Sequence, residues 1–164
     1  MLITIPQRYI PKHLSKKDKK IIRRELKKSR KQYKKKKYHT RKTVKSFKSK
    51  TSSHILNARK MYKTQKIAPT KELARKTKCS LKGLRDINKK GMGAYYSSGS
   101  RPNQTAQSWG YARLASAITG GKSAAVDFHI IEKECKKDGK AYIEALKSKR
   151  KHGRGTRKVK SVKL

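Results

Sequence analysis

The feature that most constrains this chain is its charge. Its 164 residues include 49 lysines and arginines against nine aspartates and glutamates, which gives a formal net charge of +40. A chain this cationic repels itself, and small domains ordinarily carry net charges of about 2–8 in magnitude. Only 33% of the residues are hydrophobic, too few for a conventional core throughout. We therefore expect a small core, extended basic segments and a polyanionic partner.

The cations are concentrated towards the two ends of the sequence. Residues 12–50 hold 20 lysines and arginines with two acids, residues 132–164 hold 13 with four, and residues 91–131 hold three with one. We expect a mostly α fold of short helices around a small helical core, with a long irregular basic arm and tail. The predicted parts are a basic arm (1–52), a small helical domain with a Gly/Ser/Tyr-rich loop (53–135), and a short helix with a basic tail (136–164).

The arm itself combines a helix and an extended segment. Ser15 lies three residues before Asp18, as in a helix-capping box, and Ile22, Leu26 and Tyr33 follow at helical spacing. This pattern predicts a helix over about 16–36 with one thin apolar stripe. Residues 40–52 alternate polar and basic side chains without such a stripe, so we expect them to be extended.

Residues 70–90 have the spacing of a helix-turn-helix pair. Thr70 and Ser80 are expected caps, and Leu84 and Ile87 would seat a second helix that Gly91 ends. An ordinary helical hairpin explains the same pattern slightly better. Thr77 and Lys78 fit a DNA-reading module poorly, because an apolar residue and a glycine are usual at those two places.

The middle of the chain is nearly uncharged. Residues 91–105 are rich in turn-forming residues and predict a long loop, followed by a helix over 106–118 capped by Thr105 and ended by two glycines. Asp127 is an expected cap for a further helix. A last short helix, 140–150, is expected to turn Tyr142, Ile143 and Leu146 inward.

Two sets of residues are candidate contacts. The expected polyanion-binding residues are the basic side chains Lys16, Lys17, Arg23, Arg24, Lys34, Lys35, Lys36, Lys37, Arg41, Lys42, Lys82, Arg85, Lys89, Arg154 and Arg157. The expected core or protein-contact residues are Tyr95, Tyr96, Arg101, Trp109, Tyr111, Leu114 and Ile118. The tyrosines and Arg101 could stack on bases, but pinning the loop to the next helix is the favoured interpretation. Trp109 is expected in the core.

Sequence motifs give no indication of an enzyme, a cofactor or a metal. Gly120-Gly121-Lys122-Ser123 resembles the end of a phosphate-binding loop, but residue 116 is serine where that loop needs glycine. Cys79 and Cys135 stand 56 positions apart without a Cys-x-x-Cys motif, so we expect neither a disulfide framework nor structural zinc. The first residues lack the basic start of a secretory signal, and no stretch reaches about 20 apolar residues. A soluble intracellular protein is the expectation.

Several long segments carry a family resemblance. They are RYIPKHLSKKDK (8–19), YHTRKTVKSFKSK (38–50), GMGAYYSSGSRPNQT (91–105) and SWGYARLASAITGGK (108–122), with Ala-Val-Asp at 125–127. Together they resemble a domain of unknown function widespread in giant nucleocytoplasmic large DNA viruses of algae and amoebae, over roughly residues 6–135. The resemblance implies a viral context and a virion protein, without an activity or catalytic residue to carry over.

Two functional interpretations follow. The first is a non-enzymatic virion structural protein, a minor capsid component on the inner face of the shell, located in host cytoplasm or nucleus during assembly. Its partners would be capsid proteins together with genome or an anionic membrane surface, and no small-molecule substrate. The alternative is a nonspecific DNA-binding protein that condenses or regulates the viral genome through segment 70–90. A ribosome-like RNA-binding protein is a third, less well supported interpretation.

Overall fold

The computed structural model describes residues 3–153 and 159–164, and most of these residues are helical. This confirms the predicted mostly α fold with a small helical core. The elements are β1 (Thr4–Pro6), a 3-10 turn (Gln7–Tyr9), α1 (Lys16–Lys34), α2 (Ser53–Tyr62), α3 (Lys71–Thr77), α4 (Leu81–Ser97), α5 (Ala106–Ile118), α6 (Lys122–Val126), α7 (Phe128–Glu134), α8 (Lys140–His152) and β2 (Ser161–Lys163). In the described ranges, no helix is both long and apolar enough to cross a membrane.

The chain forms two compact units, and they are not the three consecutive parts that the sequence predicts. Unit 1 combines residues 3–50, 92–109 and 159–164, and unit 2 combines 51–91 with 110–153. The basic arm and the end of the tail therefore belong to one unit. Their pairing explains the regrouping, because β1 and β2 form an antiparallel ladder with Ile5 opposite Val162.

Unit 1 has its own small core. Its buried apolar side chains are Ile5, Tyr9, Ile10, Leu14, Ile22, Leu26 and Val44. Residues 40–50 have no helix or strand, as predicted for this segment. They are nevertheless packed, because Val44, between polar sequence neighbours, is buried in the core of unit 1. Trp109 packs against this core, as predicted, but it is only half-buried. Its ring lies edge-on to Tyr9, with ring centroids 6.0 Å apart.

Unit 2 is built from helices that pack through small side chains. Leu114 and Ile118 are fully buried, as predicted, together with several alanines of α5, α6 and α8. On α8 the most deeply buried residues are Ala141 and Ala145, while Ile143 is 43% exposed. The predicted inward stripe on α8 is therefore wrong for Ile143, because alanines let this helix approach its neighbours closely.

Gly91 does not end α4, contrary to the sequence-based expectation. The helix continues to Ser97, so only residues 98–105 of the predicted loop are non-helical. A Cβ atom on Gly91 would lie 2.7 Å from the Cα of Gly110 on α5. This glycine therefore serves a close crossing of two helices.

The caps of the helical hairpin are as predicted. The Thr70 hydroxyl accepts a hydrogen bond from the Leu73 N–H, and the Ser80 hydroxyl accepts one from the Gly83 N–H. Thr77, expected to fit poorly, is buried and donates its hydroxyl proton to the Leu73 carbonyl at 2.8 Å. An internal hydrogen bond thus makes a threonine acceptable where an apolar residue is usual.

A disulfide joins Cys79 and Cys135, which overturns the expectation of two unpaired cysteines. It connects the α3–α4 turn to the residue after α7, where the backbones also pair: the Ser80 N–H donates to the Glu134 carbonyl at 2.7 Å and the Lys136 N–H to the Lys78 carbonyl at 2.9 Å. Sequence spacing could not reveal this pairing, since it depends on how two distant turns meet.

Reduction of this disulfide should destabilise the chain. The bridge closes a loop across a sequence separation of 56 residues. Breaking a disulfide that closes a loop of this size lowers the free energy of unfolding of a protein by about 2–4 kcal/mol. We expect the urea unfolding midpoint to fall in the presence of a reductant. In the double variant Cys79→Ala/Cys135→Ala the midpoint should be low and unaffected by reductant. An identical midpoint for the oxidised and reduced wild type would contradict the prediction.

Lysines occupy left-handed backbone positions at the ends of three helices. Lys36, Lys63 and Lys78 have φ values of 58°, 49° and 56°, a conformation in which glycine is usual after a helix. At Lys63 the N–H donates to the Arg59 carbonyl, which closes the last turn of α2. A positive charge at a helix C-terminus is favourable, but the side chain strains the backbone.

Replacing Lys63 by glycine should stabilise the protein. The left-handed conformation costs a residue with a Cβ about 1–2 kcal/mol, part of which is offset by the greater unfolded-state entropy of glycine. We expect Lys63→Gly to raise the free energy of unfolding by about 0.5–1 kcal/mol in urea titrations. The matched change Lys60→Gly, inside the same helix, should lower it by a similar amount. Destabilisation by both changes would contradict this interpretation of Lys63.

Candidate polyanion-binding face

Helix α1 separates its charges onto opposite sides. Asp18, Ile22, Glu25, Leu26 and Ser29 are buried and recur at helical spacing along one side. Both acids of residues 12–50 are on this side. The outward side of α1 therefore carries no carboxylate that could neutralise its cations.

Five cations share the outward side of α1, and we call them the α1 cationic face. They are Lys16, Lys20, Arg23, Arg24 and Lys27, and they line one shallow, open depression of about 420 Å³. Their spacing is that of a single helical face, on the side of the helix roughly opposite the buried residues. Such a row of cations can neutralise several phosphates of one polymer at once.

The first anchor beneath this face is Asp18, at the start of α1. Ser15 caps the helix by accepting the Asp18 N–H, as predicted. In a capping box the acid would accept the N–H of the cap residue. Here Ser46 is inserted between them: its hydroxyl accepts the Ser15 N–H at 3.1 Å and donates to Asp18 at 2.5 Å. The Ser46 hydroxyl and N–H hold the pKa of Asp18 below its usual value, despite burial.

The second anchor is Glu25, two turns further along α1. Its carboxylate accepts the Lys42 N–H at 3.0 Å and lies 2.9 Å from His39 Nε2. Burial by itself would raise the pKa of Glu25, but the Lys42 hydrogen bond together with the hydrogen bond and charge of His39 outweigh it, so the pKa is lowered. The two anchors hold residues 39–46 against α1.

Arg41 is a structural residue inside unit 1. Its guanidinium donates to the Ser29 hydroxyl at 3.0 Å, the Tyr95 carbonyl at 2.6 Å and the Ser100 hydroxyl at 2.7 Å, and it stacks 3.7 Å from the Tyr95 ring centroid. Burial lowers its pKa, against the favourable influence of Tyr95 and its neighbours. The structure therefore corrects the assignment of Arg41 to the polyanion-binding set, since its guanidinium is held by three acceptors within unit 1.

The side chain of Asn103 also holds the segment that follows α1. Its side-chain oxygen accepts the Val44 N–H at 2.7 Å, and its amide donates to the carbonyls of Val44 and Phe47 at 2.9 and 2.8 Å. Its φ of 59° is left-handed, a conformation that asparagine tolerates. Asn103 was not singled out in the sequence, although an Asn following a Pro in a turn-rich segment is a signal for such a role.

The other predicted cations are distributed over several places. Those exposed on unit 1 are Lys16, Lys17, Arg24, Lys34, Lys35, Lys36, Lys37 and Lys42, with Arg23 half-exposed. On α4 of unit 2, Lys82, Arg85 and Lys89 are exposed. Asp86 and Glu134 raise the pKa of Lys82, which lies 2.9 Å from Asp86. Arg154 and Arg157 lie outside the described residues.

The predicted protein-contact residues have different environments. Tyr95 is fully buried, whereas Tyr96 and Tyr111 are half-buried. Arg101 is exposed. Its side chain therefore lies at the surface of unit 1, where contact with carbonyls or an acidic partner stays a prediction.

Asp127 is a buried ion-pair residue, which sequence reasoning missed. It makes no side-chain capping hydrogen bond, contrary to the prediction. Arg113 donates to both of its oxygens at 2.8 Å, and Lys90 Nζ lies at 3.0 Å. Burial would raise the pKa of Asp127, but Arg113 and Lys90 outweigh it and the pKa is lowered. In the described ranges, no group of three or more His, Cys, Asp or Glu side chains is placed to hold a metal ion.

Comparison with known proteins gives one match. A model of a family of unknown function, DUF5824, matches residues 6–139. The chain belongs to the DUF5824 family. The DUF5824 match includes α1 and both of its anchors. No curated protein and no solved structure matches the chain. The family description names no activity or partner, so the viral context stays a prediction.

The two anchors predict acid sensitivity of unit 1. Because folding lowers the pKa values of Asp18 and Glu25, their contribution to stability is present above their unfolded values, about 3.9 and 4.3, and is lost as the pH falls through the folded values. We expect urea unfolding midpoints to fall steeply below about pH 4. The variant Asp18→Asn/Glu25→Gln should be less stable at pH 6 and lose less on acidification. An equal loss in both proteins would contradict the assignment.

Proposed function

We propose that this protein is a non-enzymatic structural component of a large DNA virus particle, a minor capsid protein on the inner face of the shell. Its α1 cationic face would bind a polyanion there, while other surfaces contact capsid proteins. The observation that carries the proposal is the separation of charge on α1: both acids point inward and five cations line one outward depression. Such a surface matches a phosphate polymer or an anionic headgroup layer.

The buried acids support a structural role. A general acid or base works best with a pKa near the operating pH. Asp18, Glu25 and Asp127 instead have lowered pKa values, each because hydrogen-bond donors or cations hold the carboxylate ionised. These are the features of groups that fix a fold.

The particle context rests on the resemblance to a giant-virus domain, and the disulfide supports it. Disulfides are rare in the reducing cytosol and persist in oxidising surroundings, including virions. A protein with the Cys79–Cys135 bridge is suited to a stage outside that reducing environment. The polyanion would be the genome or the inner-membrane headgroups, and the protein would bridge it to the capsid.

A second candidate function has an observation of its own. On α4, Arg85 and Lys89 are exposed one turn apart, in the helix that would read DNA in a helix-turn-helix. This favours a DNA-binding protein that condenses or regulates the genome. The third cation of that set, Lys82, is paired with Asp86 and lies 3.8 Å from Glu134, which reduces the positive potential there and makes this candidate second.

Reversing two charges of the α1 cationic face should weaken polyanion binding selectively. Wild type should bind random duplex DNA, with a loss of roughly 10³-fold between 50 and 200 mM salt if about six phosphates are contacted. For Lys20→Glu/Arg24→Glu we expect affinity to drop more than about 10-fold and the salt slope to fall by about 2. The matched variant Lys133→Glu/Lys137→Glu has the same net charge and alters exposed sites of unit 2.

The results separate the candidates. Equal loss in the two double variants would show that only net charge matters and would overturn the α1 face as the site. Greater loss in Arg85→Glu/Lys89→Glu would favour the helix-turn-helix candidate. For the particle role, purified virions should retain the protein with the shell after the genome core is released; its departure with the core would favour genome condensation.

A further inference from the structure

Three tyrosines of unit 1 form an aromatic cluster at the C-terminal end of α1. The rings of Tyr33 and Tyr96 are nearly parallel, at 9°, with centroids 6.3 Å apart, and the Tyr38 ring lies 5.1 Å from Tyr96 and 6.2 Å from Tyr33. We call these three residues the tyrosine cluster. They come from α1, from the segment after it and from α4, so the fold, and not the sequence, brings them together.

The turn that ends α1 places Tyr38 on this cluster. The N–H groups of Lys36 and Lys37 donate to the carbonyls of Tyr33 and Gln32 at 2.9 and 3.0 Å, and Lys36 adopts the left-handed conformation. The turn therefore falls within the run of four consecutive lysines, Lys34–Lys37. Tyr38 follows Lys37 in sequence, which places an aromatic ring beside the most densely cationic run of the chain.

The cluster rests on an ordered base. The Tyr95 ring meets Tyr96 edge-on at 5.1 Å, and Arg41 covers Tyr95 at 3.7 Å. The Ser29 hydroxyl donates to the Tyr96 carbonyl at 3.2 Å, which ties the end of α4 to α1. Tyr96 is therefore held in place, and Tyr38 lies on a fixed aromatic surface.

Tyr38 is the most exposed large hydrophobic residue of the described ranges, at 70% of its surface. An aromatic ring that serves only to stabilise a fold is expected to bury most of its area, because burial is the source of its stabilising free energy. Burial of the Tyr38 ring therefore contributes little to the stability of the fold. Lys34, Lys35, Lys36 and Lys37 beside it are all exposed, so the ring and the cations are available to the same ligand.

We propose that the tyrosine cluster and Lys34–Lys37 form a binding site for single-stranded nucleic acid. A base stacks on the exposed Tyr38 ring, and the adjacent phosphates contact the lysines. Aromatic rings beside cations bind single strands without sequence preference, because every base has a π face. The proposal rests on the proposed polyanion binding and specifies a second ligand class: in a duplex the bases already stack on one another, so only the α1 cationic face and the lysines can act on it.

The two kinds of contact in this site do not distinguish ribose from deoxyribose. Base stacking and ammonium–phosphate contacts use the base and the phosphate, which ribose and deoxyribose strands share, so we expect oligo(dT) and oligo(U) to bind similarly. A lipid surface would use the lysines but has no flat π system for Tyr38. Single-stranded nucleic acid is therefore the ligand that uses both parts of the site.

The test measures how tightly the full-length protein binds ligands that have bases and ligands that lack them. Affinities are measured for oligo(dT), oligo(U), an abasic oligodeoxynucleotide of equal length and a duplex. For Tyr38→Ala we expect a loss of at least about 5-fold for oligo(dT) and oligo(U), within the roughly 5- to 150-fold range for one stacked base, and unchanged affinity for the abasic strand and the duplex. Tyr38→Phe should bind like wild type. Lys35→Ala/Lys37→Ala should weaken binding of all four ligands.

A second measurement locates the contact. Irradiation of a 5-iodouracil oligonucleotide bound to the protein should crosslink mainly to Tyr38, as identified by peptide mapping. Because Tyr38 is exposed, the urea unfolding midpoint of the protein should be unchanged by Tyr38→Ala. An unchanged midpoint excludes misfolding as the cause of weaker binding. Equal losses for oligo(dT) and the abasic strand, or crosslinks confined to other residues, would overturn the stacking site. Absence of binding to all four ligands would instead overturn the proposed polyanion binding itself.

Discussion

The carboxylates of Asp18 and Glu25 lie on the inward side of α1, where they accept hydrogen bonds from the Ser46 and Lys42 backbones and from the His39 and Ser46 side chains. These contacts position the rest of unit 1. They hold the extended segment after α1 against the helix, and that segment brings Val44 into the core and Arg41 under Tyr95. Without them, packing a segment of alternating polar and basic residues against the helix would not be favourable, because the segment has few apolar side chains to bury.

The same use of acidic residues recurs in unit 2. Asp127 is fully buried between Arg113 and Lys90. Removing one partner of such a buried pair is strongly destabilising, because the remaining charge is then unpaired. With nine acids against 49 cations, acids are scarce, and three of them are buried where they organise the surrounding chain. The outward side of α1 consequently keeps its positive charge without a carboxylate on that side to compensate it.

Local signals in the sequence predicted much of the secondary structure. The caps at Ser15, Thr70, Ser80 and Thr105 are present, because a hydroxyl and the next N–H groups interact within one turn. The helix over 106–118 has the predicted bounds. These features depend only on residues a few positions apart.

Features that depend on distant residues could not be predicted in this way. The insertion of Ser46 into the α1 cap, the pairing of β1 with β2 and the Cys79–Cys135 bridge each join segments far apart in sequence. Gly91 shows the difference well: a glycine after apolar helical spacing predicts a helix end, but here it makes room for Gly110. For the candidate site, composition predicted the exposed lysines of α1, whereas Arg41 and the tyrosine cluster required the fold.

The pairing of β1 with β2 also sets the order in which the protein can fold during its synthesis. Every segment of unit 2 leaves the ribosome before β2 does, whereas unit 1 needs residues from near both ends of the sequence. The last helix of the second unit ends at His152 and β2 begins at Ser161, so the first unit is completed last, shortly after the second. Until translation reaches β2, the first strand has no partner, and α1 emerges with its cations beside the RNA of the ribosome that makes it.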